Sequence, residues 1–230
     1  MSRKLVSVPQ SAGRGHLLSD DLGPLFSNAQ NGFEQGIVQT YPAQAVIFHK
    51  DTQPHAVYLI EHGMVKLVRV AESGQSIIVG VRRQHWMIGA PSVLLDKLYS
   101  FTAITMAESA LRCIPAKDFV YLAKTNEQFS WDLHRLLAQQ IVTQMKNMEA
   151  ISCLSAKDRL KRFLRDMIDE QNPAGSGPSN FSLSLTSRDL SQILAITPEY
   201  LCHVLKELKQ QGLISHAKGV LTVNDPAGLF

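Results

Sequence analysis

Cysteine is scarce in this chain: Cys113, Cys153 and Cys202 stand far apart, with no C-x-x-C spacing. No disulfide pairing is implied, and the pattern suits a reducing cytoplasm, the expected location. Long apolar runs are lacking as well. No stretch of about eighteen apolar residues occurs, and no apolar segment follows Arg3 and Lys4, so neither a membrane span nor a secretion signal is expected. Charge is sparse, at 19% of 230 residues and a net +3, and from residue 155 onward nine Lys and Arg face eight Asp and Glu. That balance by itself does not argue for nucleic acid. Walker loops, G-x-G-x-x-G turns and nucleophile elbows are missing, and no enzyme is expected. Eight histidines are present, but His49, His55, His62 and His85 make neither H-x-H nor H-x-x-x-H, so no metal or haem site is expected.

What the chain does have is 45% apolar residues, enough for two cores, and one informative stretch from Thr186 to Gly212. Thr186 is placed to cap a helix, with Asp189 three residues on and Leu190, Ile193 and Leu194 at helical spacing. Thr197 caps a second helix that begins on Pro198, where a missing N–H costs nothing, and Gly212 stops it. The apolar stripe of this second helix is Leu201, Val204, Leu205 and Leu208. Its other face is Glu199, Tyr200, Cys202, His203, Lys206 and Lys209. A carboxylate can accept from the cytosine amino group, and cations can meet phosphates or guanine, so this face suits a major groove. Two short apolar runs follow, 213–215 and 220–223, joined across His216, Ala217, Lys218 and Gly219 as a wing. Helix, turn, helix and wing read as a winged helix-turn-helix; an ordinary helical hairpin is the alternative.

Upstream, short runs at 37–41, 45–49, 56–60, 64–70, 76–82, 101–107 and 110–114 have strand character and regular turn punctuation, as in a barrel or roll. Gly63 stands where a strand-to-strand turn needs a positive φ. A short helix at 115–124 leads into a long one ending near Leu154, on which His134, Leu137, Ile141, Gln144, Met148 and Ile151 form a heptad seam for a second copy of the chain. A helix follows at 155–170. It carries Lys157, Arg159, Lys161, Arg162 and Arg165, either a phosphate-facing patch or a solvated face. The class expected is α+β. Its parts are an N-terminal arm and short helix (1–30), a jelly-roll-like β-roll (31–124), a dimerisation helix (125–154) and a winged helix-turn-helix (155–230).

This order resembles the Crp/Fnr family of transcription regulators, most specifically at 41–70, "YPAQAVIFHKDTQPHAVYLIEHGMVKLVRV", and at 186–223. The resemblance implies a homodimer on an inverted-repeat operator of double-stranded DNA, RNA polymerase as a further partner, and no membrane. It places base contacts at Pro198, Glu199, Cys202 and His203, with Thr186, Ser187, Thr197, Tyr200, Lys206 and Lys218 completing the DNA-binding set. His203 stands where members usually carry Arg. The effector pocket falls on Gly89, Ala90, Ser100, Phe101, Thr102, Gln144 and Met145. The Gly-Glu and Arg-Ser pairs of cyclic-nucleotide binders are replaced here by Gly89-Ala90 and Ser100-Phe101, so an uncharged pocket is expected, with an effector other than cyclic AMP. No cofactor is expected. A rival reading keeps the roll as a ligand-binding or protein-interaction module whose winged helix does not touch DNA.

Overall fold

Apolar alternation with turn residues at regular intervals yields β1 (Ile37–Tyr41), β2 (Val46–Phe48), β3 (Ala56–His62), β4 (Val65–Val70), β5 (Ser76–Arg82), β6 (Met87–Ile88), β7 (Thr102–Thr105) and β8 (Ser109–Pro115). They form two antiparallel sheets, ordered β1-β8-β3-β6 and β2-β7-β4-β5. The computed structural model describes residues 35–70, 76–171, 181–184, 186–217, 220–225 and 228. The arm and helix expected at 1–30, the stretch 172–180 and Lys218 lie outside the described residues.

Two tight places in the roll require glycine. Gly63, between β3 and β4, has φ 94°, and a Cβ there would meet Ser109 Oγ at 2.3 Å. Gly89 has φ 86° and turns the chain from β6 into α1 (Ala90–Leu94). The sequence pattern shows neither β6 nor α1, because two and five residues are too few to display a period.

Helix α2 (Ala116–Thr125) and the first half of α3 (Glu127–Cys153) close one end of the roll. Asn126 caps α3, its Oδ1 accepting the Phe129 N–H at 2.9 Å, which seats Phe129 edge-on against Phe119 with centroids 5.6 Å apart. Both rings are fully buried with Val57, Ile60, Leu111, Leu133 and Leu136. That inner stripe decides how α3 is rotated. Leu137 and Gln144, expected on the dimer seam, turn half-buried toward the roll. The exposed apolar stripe is instead Trp131, Ile141, Met145, Met148 and Ile151. Ile141, Met148 and Ile151 of the expected seam are thus exposed, whereas Leu137 is drawn inward because it follows buried Leu136 by only about 100° around the helix.

Beyond Leu154, whose extended backbone (ψ 145°) ends α3, come α4 (Ala156–Gln171), β9 (Phe181–Ser184), α5 (Ser187–Ile193), α6 (Pro198–Gln210), β10 (Ile214–Ala217) and β11 (Val220–Val223). The last strands pair β10-β11-β9, and β10 reaches Ala217, two residues beyond the run read from sequence. This C-terminal unit does not keep a core of its own. Leu160, Phe163, Leu164 and Met167 of α4 and the inner faces of α5 and α6 share one buried cluster with Met64, Val68, Ile78, Val81 and Met106 of the roll.

Candidate nucleic-acid interface and effector cavity

Both helices of the C-terminal pair start on a threonine. Thr186 Oγ1 accepts the Asp189 N–H at 3.0 Å and donates to Asp189 Oδ2 at 2.7 Å. Thr197 Oγ1 accepts the Tyr200 N–H at 3.2 Å, with Pro198 in the first turn. These two hydroxyls, expected at the DNA, are thereby engaged in capping, while Ser187 is exposed at the start of α5. Between the helices Ala195 adopts φ 52°. An L-residue there costs about 1–2 kcal/mol, against the ~0.5–1 kcal/mol of extra chain entropy a glycine loses on folding. Ala195→Gly is therefore expected to raise the urea midpoint by a fraction of a kcal/mol equivalent, and a lower midpoint would contradict the strain.

Leu201, Val204, Leu205 and Leu208 anchor α6, which leaves Glu199, Tyr200, Cys202, His203 and Lys206 exposed on its other face. Tyr200 and His203 stack with centroids 6.2 Å apart. Hydrogen bonds from its own backbone N–H and from the Thr197 hydroxyl hold the Glu199 carboxyl below the usual range, so it is an acceptor only at neutral pH. Two cations of the basic stretch of α4 are engaged within the chain. Lys157 pairs with Glu207 of α6. Arg159 donates to Ile151 O and Leu154 O at 3.0 Å each, and to Ala195 O at 3.4 Å, tying the end of α3 to the turn between the helices.

The pair is also fastened to the roll. Lys66 Nζ of β4 meets Asp189 Oδ1 at 2.8 Å, with both side chains largely buried. Gln192 lies along β5, its Oε1 accepting the Ile78 N–H at 2.8 Å and its Nε2 donating to Ser76 O at 3.0 Å. A side-chain amide thus satisfies two backbone groups on the open edge of the strand. The contacting residues lie more than 110 apart in the chain, so no local pattern signals them.

Between the roll and α3 lies a cavity of about 570 Å³ that brings together Gly89, Ser100, Phe101, Gln144 and Met145. Ala90 and Thr102 do not line it. Ala90 is fully buried in the roll core behind the Gly89 turn, and Thr102 Oγ1 accepts the Lys50 N–H at 3.0 Å. Nor is the cavity uncharged. Arg82, at the end of β5, lines it with its guanidinium 4.5 Å from the centre of the Trp86 ring. The sequence reading missed this residue. Its signal was the strand alternation that puts Gly80 and Arg82 on one face just before a tryptophan. A second cavity of about 610 Å³ lies between β5, the end of α3 and α5, and Arg82 and Gln144 line both.

Residues 38–126 match the family model described as Cyclic nucleotide-binding domain, and residues 158–230 match Crp-like helix-turn-helix domain. The chain is 25% identical over 212 residues to the Global nitrogen regulator of a Nostoc species, covering 90% of this chain and 94% of that one. It is 23% identical to the cAMP-activated global transcriptional regulator CRP of Salmonella typhimurium, covering 80% and 88% respectively. The fold matches that of the c-di-GMP responsive global regulator CLP of Xanthomonas campestris with a TM-score of 0.67, at 16% identity over 84% of this chain and 96% of that one. A sensor-type β-roll carried by a long helix into a winged helix-turn-helix defines a DNA-binding transcription regulator. The chain belongs to the Crp/Fnr family. No helix among the described residues is long and apolar enough to cross a membrane.

Proposed function

We propose that two copies pair through the outer stripe of α3, set one α6 into each of two major-groove half-sites of an inverted repeat, and respond to an effector in the cavity between roll and α3. The observation that carries this reading is the division of α6. Its apolar face is buried, and Glu199, Cys202, His203 and Lys206 stand clear of the roll even with the helix pair docked. Half-sites about one helical turn apart, roughly 34 Å, are expected in a footprint. RNA polymerase is a further partner on this reading, and the chain acts by binding rather than by catalysis.

Glu199 is assigned to base reading and Lys206 to phosphate. On an operator selected from random duplexes, Glu199→Ala is expected to cost about 1–3 kcal/mol and to relax preference at one base pair, whereas Lys206→Ala weakens all sequences alike. The two are compared by gel shift over a salt series. Binding that does not fall as salt rises would favour the rival reading, a winged helix that docks protein. Cyclic AMP is not the effector on this proposal, and neither it nor cyclic GMP is expected to raise the melting temperature.

A further inference from the structure

The pocket chemistry turns on how Arg82 is held. Residues 80 and 82 share a face of β5, and a Cβ on Gly80 would stand 2.5 Å from Arg82 Nη1. The guanidinium therefore lies back across the bare glycine, with Trp86, itself buried, beside it at 4.5 Å. Its one hydrogen bond among the described residues runs from Nη1 to the carbonyl of neighbouring Val81 at 3.0 Å. No carboxylate among the described residues pairs with it. Burial lowers its pKa to about 10, so it is still a cation at neutral pH. A partly buried cation without an anion is left without compensation, and a bidentate partner would supply it.

The rest of the lining limits what that partner can be. Arg82 is the single charged residue among those lining the cavity, whose walls include Phe48, Leu67, Phe101, Leu137 and Ile141. Three polar side chains of the wall are already engaged. Ser92 Oγ donates to Leu98 O at 3.2 Å, Tyr99 OH to Ala56 O at 2.5 Å and Gln140 Nε2 to Met87 O at 3.4 Å. Gln144 is different, because its Nε2 is buried without a protein partner. Resting on the reading of this cavity as the effector site, we infer that its ligand is an amphiphilic monocarboxylic acid, the carboxylate received by Arg82 and Gln144 and an apolar or aromatic body held by the walls. A cyclic nucleotide also carries one negative charge, but its ribose hydroxyls and base edge would be set against an apolar wall with few free partners. A ligand with two charges would leave one uncompensated.

The test uses the full chain with octanoate, decanoate and 4-phenylbutyrate as probes, octanamide as the neutral control and cyclic AMP as the nucleotide arm. Binding is read by calorimetry and by the fluorescence of Trp86 in a Trp131→Phe background, since Trp131 is the only other tryptophan. At least one acid is expected to bind, octanamide at least about ten-fold more weakly than octanoate. Arg82→Gln should abolish the difference between acid and amide, and Arg82→Lys should retain part of it. Gly80→Val should weaken acid binding by displacing the guanidinium, with circular dichroism confirming that each variant is folded. Equal binding of acid and amide, no binding of any acid at about 1 mM, or tighter binding of cyclic AMP would each overturn the inference. Gel shifts on the same preparations separate the two claims: intact operator binding with no acid binding removes only the ligand class, whereas acid binding without operator binding removes the DNA reading alone.

Discussion

Ile141→Asp combined with Met148→Asp is expected to convert the protein to a monomer and to lower operator affinity by roughly 10²–10⁴-fold. Both side chains are more than 60% exposed in the single chain, so neither supports the fold of one copy. In a two-fold pair they would face their own copies, and each aspartate would be buried against another without a partner. A monomer loses the second half-site, which otherwise binds as an intramolecular event. Sedimentation should therefore report a halved mass while circular dichroism is unchanged. A variant that stayed dimeric, or a monomer that held the operator as tightly as the parent, would show that α3 does not carry the pairing.

The second large effect is expected at Phe163, which is 1% exposed in the cluster shared by α4, the helix pair and the roll. Phe163→Ala removes a ring from a close-packed site and should cost about 3–5 kcal/mol. How that loss is distributed is the informative part. Both tryptophans, Trp86 and Trp131, lie outside the C-terminal unit, so their fluorescence follows the roll and α3. If the shared cluster couples the halves, the urea transitions seen by fluorescence and by far-ultraviolet circular dichroism should shift together. A displaced circular dichroism transition with unmoved fluorescence would make residue 154 a boundary in energy as well as in chain path.

Local chemistry made much of this architecture readable. Strands β1 and β5 fall on the residues their alternation indicates, and the caps at Thr186 and Thr197 and the left-handed glycines at 63 and 212 follow from side-chain hydrogen bonding and from sterics. These features involve neighbours a few residues apart. What stayed hidden depends on partners far along the chain. The rotation of α3 that draws Leu137 and Gln144 inward is set by the roll, and the Lys66–Asp189 contact spans 123 residues. Ala90 was misplaced because its methyl points into the roll core once Gly89 turns the chain. Arg82 closes the run 76–82 in sequence, whereas its surroundings come from Gly80, Trp86 and a helix more than fifty residues later.

The amide of Gln192 on the outer edge of β5 bears on how this chain is born. A ribosome completes β5 long before it reaches residue 192, so during synthesis the roll offers an unprotected strand edge, flanked by exposed Ile77 and Val79, to any neighbouring nascent chain. The residue that engages Ser76 and Ile78 on this edge sits on α5, so docking the helix pair and covering that part of the edge are one step.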